Sequence, residues 1–246
     1  MYGIDKESKM DVRIFQNKIK TAEEFSAFFA EKSKSEQPFH VALSGGSTPK
    51  IVFDVLADAF AKDMDWSQIH LYWGDERCVA PTDEESNYKM TVEHLISKID
   101  IPETNIHRIK GEDNPKSEAK RYAELLEEVL PQELGLPQFD LVILGMGDDG
   151  HTASIFPHEL KLWMSPDNCE VATHPESGQK RVSITGRIIN NAKTVAFLVT
   201  GESKAEKVKI IVDREDGYMD FPASYVSPRT KDLIWFLDAD AAKKIT

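Results

Sequence analysis

A histidine set directly behind a glycine-rich turn is the residue of this chain best placed to move a proton. The run is Leu144-Gly-Met-Gly-Asp-Asp-Gly-His-Thr-Ala-Ser-Ile-Phe-Pro157, and it follows the apolar stretch Leu141, Val142, Ile143 and Leu144. Imidazole titrates near neutrality, so His151 can take up or release a proton there. Gly145, Gly147 and Gly150 let the backbone turn sharply and approach a ligand closely. Two further polar runs also follow apolar stretches: Ser44, Gly45, Gly46, Ser47 and Thr48 before Pro49, and Asp75, Glu76 and Arg77 after Trp73 and Gly74. The first combines hydroxyls, glycine amides and the positive end of a helix that Pro49 can open and Thr48 can cap, a set suited to phosphate. It lacks the Gly-Lys-Ser/Thr order of a Walker loop. In the second, Arg77 can hold a phosphate or a developing oxyanion, and Asp75 can orient a histidine or receive a proton. Each run taken alone also fits a plainer role: a capped turn, a solvated charged loop, a histidine bonded to backbone.

These groups act together only if the fold brings strand ends together. Periodicity predicts strands at 12–15, 39–43, 69–73, 106–109, 141–144, 194–199 and 233–237, with weaker ones near 170–173 and 182–184. Helices are expected over 21–29, capped by Thr21 with Glu24 at the capping-box position, and from Pro49 to about 61. Others run from Ser86 or Asn87 to about 97, over 116–130, from the Gly201-Glu-Ser-Lys204 run through 212, and over a short Ala-rich end. Residues 1–10 read as a polar, frayed start. Strand–helix alternation implies an α/β fold with a largely parallel sheet covered on both faces. Ligands of such sheets gather beyond the carboxyl ends of the strands, where all three polar runs are expected.

The chain has 246 residues and a formal net charge of -12, which argues against a nucleic-acid or anionic-membrane surface. A few local cations still allow a small phosphorylated ligand. No apolar run reaches the ~20 residues of a membrane span, and no signal-peptide pattern opens the chain, so a cytoplasmic protein is expected. Cys78 and Cys169 lie far apart and read as free thiols, with Cys78 a small packing residue. None of the seven histidines forms a metal-binding pattern, and no metal is expected. Gly145, Gly147 and Gly150 match a dinucleotide-binding spacing, and Glu170 falls about twenty residues later. That reading fails because Asp148 and Asp149 would stand against a pyrophosphate, and Pro157 comes too soon for a long crossover helix.

In order along the chain, Leu43-Ser-Gly-Gly-Ser-Thr-Pro49, Trp73-Gly-Asp-Glu-Arg77 with Ser86-Asn87, and the run 144–157 resemble the 6-phosphogluconolactonase family, related to glucosamine-6-phosphate deaminases. Weaker matches lie at Arg181-Val-Ser-Ile-Thr185 with Ile189-Asn190, at Gly201-Glu-Ser-Lys204 and at Pro222-Ala-Ser224. The resemblance implies a Rossmann-like, mostly parallel sheet with helices on both faces. It also implies one domain over 1–246, with a smaller α/β subdomain within about 150–190. The implied reaction is hydrolysis of a phosphosugar lactone, 6-phosphogluconolactone, to 6-phosphogluconate, without cofactor or metal.

Carried onto this chain, His151 is the base, residues 44–48 are the phosphate loop, and Arg181 and Lys204 surround the phosphate. Asp75 and Arg77 stand at the mouth of the site, with Asp149 and Gly150 in the turn against the substrate. Gly186-Arg187 departs from the family pattern and makes Arg187 a competitor of Arg181 for the phosphate. Whether Asp75 or Asp149 orients His151 stays open, as does oligomeric state, with which a monomer is compatible. The alternatives are an amino-sugar phosphate deaminase or isomerase on the same fold, and a non-catalytic sugar-phosphate sensor. Arg77 favours the lactonase, since deaminases tend to carry tyrosine there.

Overall fold

The computed structural model describes residues 10–35 and 38–245, so most of the expected frayed start, residues 1–9, lies outside the described residues. The chain opens with β1 (Asp11–Phe15), α1 (Lys18–Ser35), β2 (Phe39–Leu43) and α2 (Ser47–Val55). Next come β3 (Ile69–Trp73), β4 (Asp75–Arg77), α3 (Asn87–His94), β5 (Ile106–His107) and α4 (Pro115–Val129). A small hairpin of β6 (Gln132–Glu133) and β7 (Leu136–Pro137) leads into β8 (Leu141–Leu144). The remainder is β9 (Cys169–Thr173), β10 (Lys180–Ile184), α5 (Gly186–Ile189), β11 (Thr194–Val199), α6 (Ala205–Val212), β12 (Leu233–Asp238) and α7 (Ala239–Ala242).

Seven strands make one sheet in the order β1-β12-β11-β8-β2-β3-β5, and every pair in it is parallel. Every residue of β2, β8 and β11 is buried, as central strands covered by helices on both faces require. From β2 the chain steps outward to β3, whereas from β8 it steps the opposite way to β11. The crevice beyond the carboxyl ends of β2 and β8 is therefore the switch point where open α/β sheets bind ligands. Ser44 and Gly145 are the first residues past those two ends.

A second, antiparallel sheet of three strands has the order β4-β10-β9 and joins Asp75–Arg77 to a segment a hundred residues downstream. Its register places Arg181 opposite Arg77 and Ser183 opposite Asp75. The two sheets are linked at Trp73, the last residue of β3. The hydroxyl of Tyr122 on α4 accepts from the Trp73 amide at 3.0 Å and donates to its carbonyl at 3.0 Å.

Helix starts differ most from the sequence expectations. Asn17, not Thr21, caps α1, its Oδ1 accepting from the Lys20 amide at 2.9 Å, while the buried Thr21 hydroxyl bonds the Asn17 carbonyl. The second helix begins at Ser47, two residues before Pro49, and continues past Val55 as a π-helical turn over Leu56–Phe60. Thr48 is inside it and caps nothing; its hydroxyl meets that of Thr200 at 2.8 Å. Ser86 caps α3 through the Lys89 amide, and the helix stops at His94. Cys78 and Cys169 are both free thiols. Among the described residues no helix is long and apolar enough to cross a membrane.

Candidate active site

The crevice is a cleft of about 180 Å³ in which four segments meet. From the end of β2 come Ser44, Gly45 and Gly46; from β4, Asp75 and Arg77. His151 arrives from the turn after β8, and Arg181 from β10. Seven of the residues expected from the sequence thus share one cavity.

His151 is held by its own turn. Its Nδ1 lies 2.6 Å from Asp149 Oδ1, which also accepts from the His151 backbone amide at 3.0 Å. Partial burial pushes the Asp149 carboxyl up, but its hydrogen bonds with His151 prevail and hold it down at about 2. The carboxylate accepts a hydrogen from Nδ1, which leaves Nε2 as the basic nitrogen of the ring. Gly147 makes this packing possible: a Cβ there would stand 2.2 Å from His151 Nδ1. The fully buried Phe156 ring supports the imidazole with centroids 4.6 Å apart. Asp149, rather than Asp75, therefore orients the histidine. Asp75 is buried and accepts from Ser154 Oγ at 2.5 Å, which ties β4 to the histidine turn.

Two guanidiniums face each other across the β4–β10 pair. Arg77 donates from Nη1 to the Glu85 carbonyl at 2.6 Å, and Arg181 lies over the Phe156 ring at 5.6 Å. Burial pushes Arg181 below the usual arginine range, with Asp75 pulling the other way. In both residues Nε is buried and without a hydrogen-bond partner. Both residues nevertheless line the cleft, where the planar fork of guanidinium donors suits an anion.

The other expected residues are not in the cleft wall. Ser47 lines a neighbouring cavity of about 270 Å³ that shares Gly46, Arg77 and Asn87 with the first. Thr48 points to Thr200. Gly150 turns with φ +80° and accepts at its carbonyl from Ala223. Lys204 pairs with Asp148 at 2.6 Å, beside a Ser203 hydroxyl on the same carboxylate oxygen at 3.1 Å. Arg187 sits in α5 and lines neither cavity.

Sequence reasoning missed Glu76, Asn87 and Ser154. A strand alternates its faces, so Asp75 and Arg77 turn one way and Glu76 the other. The buried Glu76 carboxylate accepts from the amides of Arg77, Asn87 and Tyr88 at 2.7, 2.8 and 2.8 Å, and from Ser86 Oγ at 3.1 Å. Burial pushes this carboxyl up, against those backbone bonds. Glu76 thereby pins the start of α3 to β4 and sets Asn87 at the cleft. The sequence signal for it is its place in the Trp73–Arg77 run, between two site residues.

The family model of the glucosamine-6-phosphate isomerases/6-phosphogluconolactonase matches residues 17–235. A 6-phosphogluconolactonase of Treponema pallidum is 44% identical over 197 residues, covering 80% of this chain and 82% of the relative. One of Haemophilus influenzae is 43% identical over 226 residues, covering 91% and 93%. The solved 6-phosphogluconolactonase of Trypanosoma brucei superposes with a TM-score of 0.82 at 25% identity, covering 97% of this chain and 99% of that one. With the parallel sheet, the cleft at its switch point and a family match spanning nearly all of it, the chain belongs to the glucosamine-6-phosphate isomerase/6-phosphogluconolactonase family.

Proposed function

We infer that this protein hydrolyses 6-phosphogluconolactone to 6-phosphogluconate, with His151 as the base. The observation that carries the reading is a histidine pinned through Nδ1 by Asp149 in the same cleft as two arginines. Nε2 takes a proton from a water as its oxygen attacks the lactone carbonyl carbon. The carbonyl oxygen gains charge in that step and is met by amides of the glycine turn or by Arg77. The tetrahedral centre then collapses, the bond to the ring oxygen breaks, and the histidinium returns its proton to that oxygen. Asp149 keeps the imidazole in one tautomer and steadies its charged form.

The phosphate is assigned to the loop 44–48 with Arg181, and to Lys204 once its ammonium leaves Asp148. Such a remote grip fixes the carbonyl against His151 and turns binding energy into geometry. The mechanism calls on no cofactor or metal. It belongs to a single domain over 1–246 with a smaller subdomain within about 150–190, the range that holds β9 and β10, and a cytoplasmic setting suits its two free thiols.

The test is a coupled assay on freshly generated 6-phosphogluconolactone, with spontaneous opening subtracted. Turnover well above background is expected. Its absence, or ammonia release from glucosamine 6-phosphate instead, overturns the reading.

A further inference from the structure

Asn87 is 4% exposed, yet its carboxamide reaches the wall of the cleft. Its orientation is settled by its partner. The backbone carbonyl of Asp75, 2.9 Å away, can only accept, so the group facing it is Nδ2 and the other branch is Oδ1. Oδ1 lies over the phosphate-loop backbone, so close that a Cβ on Gly45 would stand 1.8 Å from it. No protein donor among the described residues bonds this oxygen, and it is not one of the buried, sealed atoms. The result is an acceptor held rigidly on a cleft that otherwise offers mostly donors: guanidiniums, hydroxyls and amides. Its backbone amide is fixed in turn by Glu76 at 2.8 Å, so the group cannot swing away without breaking a buried network.

A carbonyl oxygen repels phosphate and a developing oxyanion alike. It suits a hydroxyl donor, and a sugar lactone carries several on its ring. We propose that Asn87 Oδ1 accepts a hydrogen bond from one ring hydroxyl of the lactone and so selects a polyhydroxylated ring over a deoxygenated one. Glu76 acts behind it as a positioning residue. The inference rests on the lactonase reading and deepens it. A site built to bond a hydroxyl discriminates against an analogue lacking it, because the acceptor is then left dry and unpaired.

The experiment measures kcat/KM of the wild type, Asn87→Leu and Asn87→Ser on 6-phosphogluconolactone and on the phosphorylated lactones lacking one ring hydroxyl each. The wild type is expected to lose roughly tenfold on one deoxy lactone. Both variants should lose roughly tenfold on the parent and nothing further on that same deoxy lactone. Competitive inhibition by inorganic phosphate should not change. A wild type that treats every deoxy lactone like the parent overturns the proposal, and this arm needs no variant to fold. So do variants that still discriminate, or that lose phosphate inhibition in step with activity, since Asn87 would then merely prop the Gly45 loop. Absence of wild-type turnover on the parent overturns the lactonase reading itself and this inference with it; turnover without discrimination overturns this inference alone.

Discussion

Three histidines within the parallel sheet and one beyond its carboxyl ends have opposite surroundings. On the neighbouring strands β2, β3 and β5, His40, His70 and His107 form a ladder. His40 stacks on His70 with centroids 4.8 Å apart, and His70 Nδ1 lies 3.2 Å from His107 Nε2. Tyr72 stacks on His107 at 4.4 Å and its hydroxyl meets His40 Nδ1 at 3.1 Å. Burial pushes His40 and His107 down to about 4, and His70 in the same direction. The nearby carboxylate, Asp140, is spent on the His40 backbone amide at 2.7 Å and on Lys193 at 2.8 Å. Beyond the carboxyl ends of the sheet, His151 has a carboxylate on a ring nitrogen and a face on the cleft. What separates His151 from the ladder is a bonded anion and a face on the cleft, not the residue type.

The sharpest way to break this comparison is to remove the imidazoles. His151→Asn should cut kcat by roughly a hundredfold or more with little change in Tm, on ordinary acid–base magnitudes. His107→Gln should do the reverse, lowering Tm and sparing kcat in the protein that remains folded. Near-wild-type turnover of the folded His151 variant in the lactone assay would sink its assigned role. Asp149→Asn tests the bonded anion. The ring then loses its fixed tautomer, and kcat should fall roughly tenfold to a hundredfold, less than for the imidazole itself. The low-pH limb of the pH–rate profile, which reports deprotonation of the base, should move, a shift that simple loss of stability would not produce.

The two regions also divide the acid unfolding curve. His40 and His107 are held at about 4 when folded, below the roughly 6.5 of a free imidazole, so the unfolded chain binds more protons between those values. Their contribution is complete above about pH 6.5 and is lost as pH falls toward 4. Asp149, at about 2 when folded against roughly 4 when free, loses its contribution in a lower window, from about 4 down to 2. Tm measured from pH 7 to 3 should therefore fall mainly between 6.5 and 4. His107→Gln should flatten that limb, and Asp149→Asn should leave it in place. A limb unchanged by His107→Gln would mean that the ladder does not set acid stability.

Much of this was legible beforehand, for physical reasons. Strands β2, β8 and β11 are continuous apolar runs bounded by turn residues, so a buried parallel sheet follows almost directly. The three polar runs each follow such a strand, so their meeting at one crevice follows too. Helix starts were harder. Asn17 and Thr21 are both capping residues four apart, and only the chain's path decides which one turns extended. The partner of His151 was harder still. Asp149 reaches the ring because the turn folds back on itself past Gly147, whereas Asp75 is claimed by Ser154 from 79 residues away. Glu76 and Asn87 gain their meaning only when α3 lands on β4, a contact that no local pattern encodes.

The smallest expected effect concerns an ion pair outside the cleft wall, Lys204 with Asp148. Lys204 is assigned to the phosphate but is held by Asp148, whose side chain is 71% exposed. An exposed ion pair is worth at most about 1 kcal/mol, so a phosphate dianion can displace the carboxylate at little cost. Asp148 then competes with substrate for the same ammonium. Asp148→Asn should lower KM by roughly twofold to fivefold with kcat unchanged, and added salt should shrink the difference. Lys204→Gln should raise KM instead. If Asp148→Asn raises KM as well, the carboxylate is holding Lys204 in place for the phosphate rather than competing with it. In that case Asp148, like Asp149, acts by fixing a neighbour's position, which would sharpen the contrast with the ladder rather than weaken it.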